Sequence, residues 1–189
     1  DFEEKTLSRE TIFNGQVINV KLDTVALPGD LGLAKREIIF HNGGVAVLAI
    51  TPEQKMILVR QFRKALEEVI YEIPAGKLEK GENANPEAAM LRELEEETGM
   101  TTKSVKKIAE FYTAPGFCSE KIYLYKADNL RKVDQPRPHD DDEVLERHEV
   151  TLAEAKALIH NGEIQPTIGI YLKHIPEGVM HRFPCRLEV

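Results

Sequence analysis

Residues Glu93, Glu95, Glu96 and Glu97 place four carboxylates within five consecutive positions of a stretch bounded by Gly76 and Met100. The segment reads as a helix, with Asn85 placed to cap it, Pro86 at its first position and Gly99 placed to end it. With about 100° of rotation per residue, Glu93, Glu96 and Glu97 fall on one face, because positions i, i+3 and i+4 are neighbours. Leu91, Leu94 and Thr98 lie on another face and can pack inward. Crowded carboxylates repel one another at neutral pH, so such a face costs stability unless something compensates it. A solvated face is the plain reading of a Glu-rich helix. A hard divalent cation, which accepts oxygen ligands, is the reading that explains the phasing.

The remaining chain surrounds this helix with short strand-like segments. Val17–Leu27 alternates, residues 28–32 (PGDLG) make a turn, and Ala34–Phe40 forms a second strand, so residues 1–40 read as an N-terminal β arm. A fresh start follows at His41–Gly44, and the apolar run Val45–Ile50 has the character of a strand buried on both faces. Met56–Arg63 and Val69–Pro74 continue the sheet ahead of the helix, with Ser104–Phe117 and Lys121–Ala127 beyond it. Residues 135–143 (QPRPHDDDE) form a Pro-punctuated acidic loop, and Thr151 with Glu154 makes a capping box that opens a second helix ending at Gly162. The last stretch shows no clean period. The order predicts an α+β fold in which a mixed β-sheet is sandwiched between helices, divided as arm 1–40, core 41–175 and tail 176–189.

Composition narrows the class of function. A net charge of -7 argues against sequence-independent nucleic-acid binding, which needs basic surface. No apolar run is long enough to span a membrane, and the polar N-terminus carries no apolar secretory region. Two cysteines, Cys118 and Cys185, are too few for a disulfide framework and suit a reducing, cytoplasmic compartment.

The Gly76–Met100 stretch resembles the signature of the Nudix hydrolase family: Gly, five residues, Glu, seven residues, then Arg-Glu-aliphatic-x-Glu-Glu-x-Gly-aliphatic. Gly76 and Glu82 match its first half; Arg92, Glu93, Leu94, Glu96, Glu97, Gly99 and Met100 match its second. Nine residues rather than seven separate Glu82 from Arg92. An insertion inside the helix would turn the glutamates about 200° off their face, so the extra two residues belong in the loop before Pro86. The stretches Lys35–Ile38, Gln61–Lys64, Glu72–Lys77 and Ala114–Phe117 look like those of the ADP-ribose pyrophosphatase subfamily, as does Pro115, 16 residues past Gly99.

The resemblance implies Mg²⁺-dependent hydrolysis of a nucleoside diphosphate derivative, ADP-ribose first among them, with Mn²⁺ as a substitute ion. It implies Glu93, Glu96, Glu97 and the Ala75 carbonyl as metal ligands, with Arg92 orienting a glutamate and Glu96 counted in the catalytic set. The general base is expected from the acidic loop, at Glu143 or else Asp141. Arg36, Glu37, Arg63, Pro115 and Glu120 are the expected substrate contacts. Guanidinium forks match phosphate oxygens, which suits Arg63 to the diphosphate. By the same resemblance, the arm at residues 1–40 implies a homodimer. The rival reading is a Nudix-fold module that binds ADP-ribose as a sensor without cleaving it; a broken glutamate pattern would favour it, and the glutamate pattern here is complete.

Overall fold

The computed structural model describes residues 2–138 and 144–164. The chain begins with β1 (Lys5–Asn14), β2 (Ile18–Ala26) and β3 (Leu33–His41), an antiparallel sheet in the order β1-β2-β3. Every residue of β1 is exposed, and its pairing with β2 slips between Thr6 and Ser8 and again between Thr11 and Phe13. Such slips break the two-residue alternation by which a strand announces itself, which is why β1 is not legible in the sequence. One polar contact ties the arm together. Asp23 is buried and receives both Nε and Nη2 of Arg9, at 2.7 and 2.6 Å. The same guanidinium lies 4.9 Å from the Phe40 ring centre.

The core is built on β4 (Gly44–Ala49), followed by β5 (Met56–Arg63), β6 (Glu68–Glu72), β7 (Ala75–Lys77) and helix α1 (Pro86–Thr98). After α1 come β8 (Met100–Thr101), β9 (Ser104–Tyr112), β10 (Lys121–Asp128), β11 (Arg131–Lys132), β12 (Leu145–Val150) and helix α2 (Leu152–His160). A four-stranded sheet runs β7-β4-β10-β9, with β4 and β10 parallel and the other pairs antiparallel. A three-stranded antiparallel sheet runs β12-β5-β6, and β11 pairs with β8.

All of β4 is buried, and its two faces serve two cores. Val45, Val47 and Ala49 pack with Ala89, Met90 and Leu94 of α1, whereas Ala46, Leu48 and Ile50 pack with Leu152 and Ala155 of α2. A strand covered on both faces needs an unbroken apolar run, and Val45–Ile50 supplies it. The mixed sheet therefore lies between the two helices, as the order of elements predicts. Strand β12 was not foreseen. Its sequence LERHEV is polar and lies beside an acidic run, and its pairing to β5 from Leu145–Gln61 to Val150–Met56 is a long-range fact.

Candidate functional site

The carboxylate helix starts and stops as its caps direct. Asn85 Oδ1 accepts the Ala88 N–H at 3.3 Å, and Gly99, at φ +67°, closes the last turn by donating its N–H to the Glu95 carbonyl. The residues extra to the signature sit ahead of the helix, where Glu82–Ala84 forms one 3₁₀ turn leading into Asn85. The helix itself is uninterrupted, so Ala89, Met90, Leu94 and Thr98 are buried while Glu93 and Glu96 open to a cleft.

Arg92 is the hub of the carboxylates. Its Nη1 lies 2.9 Å from Glu93 and 2.8 Å from Glu96, and its Nη2 lies 3.3 Å from Glu82. Despite the longer loop, Glu82 is thus held at the helix, and its Oε2 also accepts the Glu79 N–H at 2.8 Å. Burial by itself lowers the Arg92 pKa, but the carboxylates of Glu93, Glu82 and Glu96 outweigh it and the net shift is upward. Burial likewise pushes Glu82 up, and the Glu79 N–H with Arg92 reverses the sign, leaving it below the ordinary carboxylate value. Glu97 points elsewhere. It is 4% exposed, and its Oε2 accepts the Ala75 N–H at 3.0 Å, pinning β7 to the helix.

Gly76 lets the helix approach β7. A β-carbon there would lie 1.9 Å from the Glu93 carboxyl carbon, so only glycine leaves room for that carboxylate beside the backbone. Among the described residues, no three acidic, histidine or cysteine side chains stand gathered at metal-ligand spacing. Glu93 and Glu96 are drawn to the Arg92 guanidinium instead. The donor set is nonetheless all oxygen, and the space left at Gly76 keeps Glu93 beside the Ala75–Gly76 backbone. That chemistry fits a hard divalent cation.

The cleft encloses about 950 Å³. Ala75, Gly76, Arg92, Glu93 and Glu96 line one side, and Arg63 and Glu72 enter from the β5–β6 hairpin. His41, Thr113 and Glu120 also line it, while Gln16 and Val17 reach it from the arm. Glu120 accepts from Thr113 Oγ1 at 2.7 Å and lies 3.6 Å from His41 Nδ1, a nitrogen that accepts the Gly43 N–H at 2.9 Å.

Of the expected substrate contacts, Arg63 and Glu120 line this cleft; Arg36, Glu37 and Pro115 do not. Arg36 lies on β3 with its guanidinium on Glu4, at 2.8 and 2.5 Å, and Glu37 is exposed on the same strand. Pro115 is exposed in the turn after β9, a turn stitched to the arm by Ile39 N–H to Phe117 O at 2.7 Å and Ser119 N–H to Ile39 O at 2.9 Å. Glu143 and Asp141 lie outside the described residues. The segments flanking them are tied to the carboxylate helix. Before them, the Arg137 N–H donates to Glu95 at 3.1 Å; after them, Arg147 donates to the Thr98 carbonyl at 3.0 Å. Sequence reasoning did not single out Glu72 or His41, although both sit in stretches it marked, residues 72–77 (EIPAGK) and 41–44 (HNGG).

The NUDIX domain family model matches residues 40–168. An ADP-ribose pyrophosphatase of Bacillus subtilis (strain 168) is 51% identical over 162 residues, covering 86% of each chain. A methanol dehydrogenase activator of Bacillus methanolicus is 44% identical over 184 residues, 96% of this chain and 98% of that one. The solved structure of an ADP compounds hydrolase superposes with a TM-score of 0.73 over 91% of each chain; at 19% identity that likeness speaks to the fold.

Proposed function

Because the chain belongs to the Nudix family, we propose that it hydrolyses the diphosphate of ADP-ribose, one water adding across the bridge to give AMP and ribose 5-phosphate. The observation that carries this reading is one cleft in which Arg63 shares the space with Glu93 and Glu96. A guanidinium suits the diphosphate, and the carboxylates suit the cation that such an anion brings. The Bacillus subtilis relative supports ADP-ribose within the class of nucleoside diphosphate sugars.

Glu93, Glu96, Glu97 and the Ala75 carbonyl would hold a divalent cation, Mg²⁺ by preference with Mn²⁺ as substitute. Such an ion neutralises phosphate charge and acidifies bound water. The chain's own residues do the rest. Arg92 orients Glu93 and Glu96 through charge-assisted bonds, Glu97 fixes the Ala75 segment to the helix, and Glu120, which lines the cleft, contacts the substrate. A carboxylate of the acidic loop, Glu143 or else Asp141, removes the proton from the attacking water. Arg36 and Glu37, which do not line the cleft of their own chain, read the adenine or its ribose from the second subunit of a homodimer built through arm residues 1–40, Pro115 is a further substrate contact, and the catalytic unit spans 41–175.

ADP-ribose with Mg²⁺, followed by chromatography of nucleotides, tests the reading through AMP release. Turnover of another nucleoside diphosphate sugar alone would move the substrate and keep the chemistry. Binding of ADP-ribose with no turnover would overturn the reading in favour of a sensor.

A further inference from the structure

We infer that Glu72 is the positioning residue for Arg63, holding its guanidinium so that the outer edge faces the diphosphate; the inference rests on the function proposed above. Strand register makes the arrangement unexpected. In the β5–β6 hairpin Arg63 is paired with Glu68, Gln61 with Ile70 and Val59 with Glu72. Cross-strand partners share a face, so these six side chains lie on the same side of the hairpin. Glu68 is the near neighbour of Arg63, yet Arg63 Nε lies 2.6 Å from Glu72 Oε2, reaching back along that face.

Holding a long arginine in that direction costs rotamer freedom, which a charge-assisted bond offsets. The contact uses Nε alone. Arg63 stays 41% exposed at the cleft against 17% for Glu72. A guanidinium has two edges able to grip an oxyanion in parallel, and Glu72 occupies neither in full. The Nη1–Nη2 edge remains open for a phosphate.

Glu72 also leads directly into the segment that meets the carboxylate helix. Pro74 O accepts the Val47 N–H at 2.9 Å, the Ala75 N–H is held by Glu97, and Gly76 lies against Glu93. A guanidinium held by Glu72 is therefore set relative to the carboxylates that would carry the cation. Phosphate grip and metal side are registered through one short segment.

The experiment combines calorimetric binding of a non-hydrolysable α,β-methylene ADP-ribose with steady-state turnover of ADP-ribose. Glu72→Ala should weaken analogue binding about tenfold, since an unheld side chain must be ordered on binding. KM should rise in parallel, with kcat within about threefold of wild type, as for lost ground-state binding. In an Arg63→Ala background, Glu72→Ala should change binding less than about twofold, since coupled residues are not additive. Glu72→Gln keeps an acceptor oxygen and should stay within about threefold of wild type. An undiminished Glu72→Ala effect in the Arg63→Ala background overturns the inference. So does a collapse of kcat in Glu72→Gln with binding intact, which would mark Glu72 as a metal ligand or base. Analogue binding that shows the coupling, in a wild-type protein that turns nothing over, overturns the proposed hydrolysis and leaves the Glu72–Arg63 pairing standing. A wild type that neither binds nor turns over overturns both.

Discussion

Glu93 and Gly76 are in contact across the α1–β7 junction, and the space between them is smaller than a methyl group. A β-carbon at residue 76 would fall 1.9 Å from the Glu93 carboxyl carbon and 2.0 Å from its Oε1. Gly76→Ala must therefore displace the carboxylate or separate β7 from the helix. ADP-ribose turnover by this variant should fall about 10- to 100-fold, by analogy with the cost of disturbing groups that orient a ligand. Near-wild-type kcat would show that Glu93 is not needed at this position.

Arg92 tests the arrangement from its other side. With the guanidinium removed, Glu82, Glu93 and Glu96 lose their shared cation, and like charges are left to repel one another. Arg92→Ala should reduce turnover, and higher Mg²⁺ should recover part of the loss because the ion then takes over charge neutralisation. Arg92→Lys should recover less than a conservative exchange suggests, since a single ammonium cannot reproduce a fork shared among three carboxylates. A titration of activity against Mg²⁺ reads both.

Glu97 separates a structural from a metal role. Its carboxylate accepts the Ala75 N–H, a bond that Glu97→Gln can retain through its amide oxygen. If Glu97 also holds the cation, Glu97→Gln should fold with an unchanged melting temperature and lose most activity. Retained activity would refute the metal role.

Acid should weaken the arm before the core chemistry is considered. The Arg9 hydrogen bonds hold the Asp23 carboxyl below its ordinary value, outweighing the upward push of burial. A folded pKa below the unfolded one gives stability that is present above the unfolded value, about 3.9, and lost as pH falls through the folded value. Denaturant titrations at descending pH should show this loss below about pH 4 in the wild type. Asp23→Asn should be less stable at neutral pH and show a flatter acid limb.

The second helix offers a stability test remote from the cleft. Thr151 accepts the Glu154 N–H at 3.2 Å while Glu154 Oε2 accepts the Thr151 N–H at 2.7 Å. Thr151→Ala should cost about 1 kcal/mol of unfolding free energy, measured by urea denaturation, and should leave KM unchanged.

Local chemistry determined a good deal on its own. Asn85, Pro86 and Gly99 bound α1, Thr151 and Glu154 open α2, and the run Val45–Ile50 is a strand covered on both faces. These readings depend on neighbours within a turn or two, which sequence records directly. Helix phase likewise placed the two extra residues ahead of Pro86, in the loop that begins with the turn Glu82–Ala84.

What the tertiary structure alone decided concerns partners distant in the chain. Nothing near Glu97 in sequence says that its carboxylate accepts the Ala75 N–H while those of Glu93 and Glu96 pair with Arg92; burial beneath β7 decides it. Nothing near Arg63 names Glu72 over Glu68, because register pairs it with Glu68 and only the shape of the hairpin brings it to Glu72. Strands β1 and β12 escaped notice for the same reason, since their polar sequences become strands through pairing with β2 and β5. The glutamates of α1 and their common face were written in helical periodicity. The guanidinium that gathers Glu82, Glu93 and Glu96, and the cleft that Glu93 and Glu96 share with Arg63, exist only once loop, strand and helix are packed together.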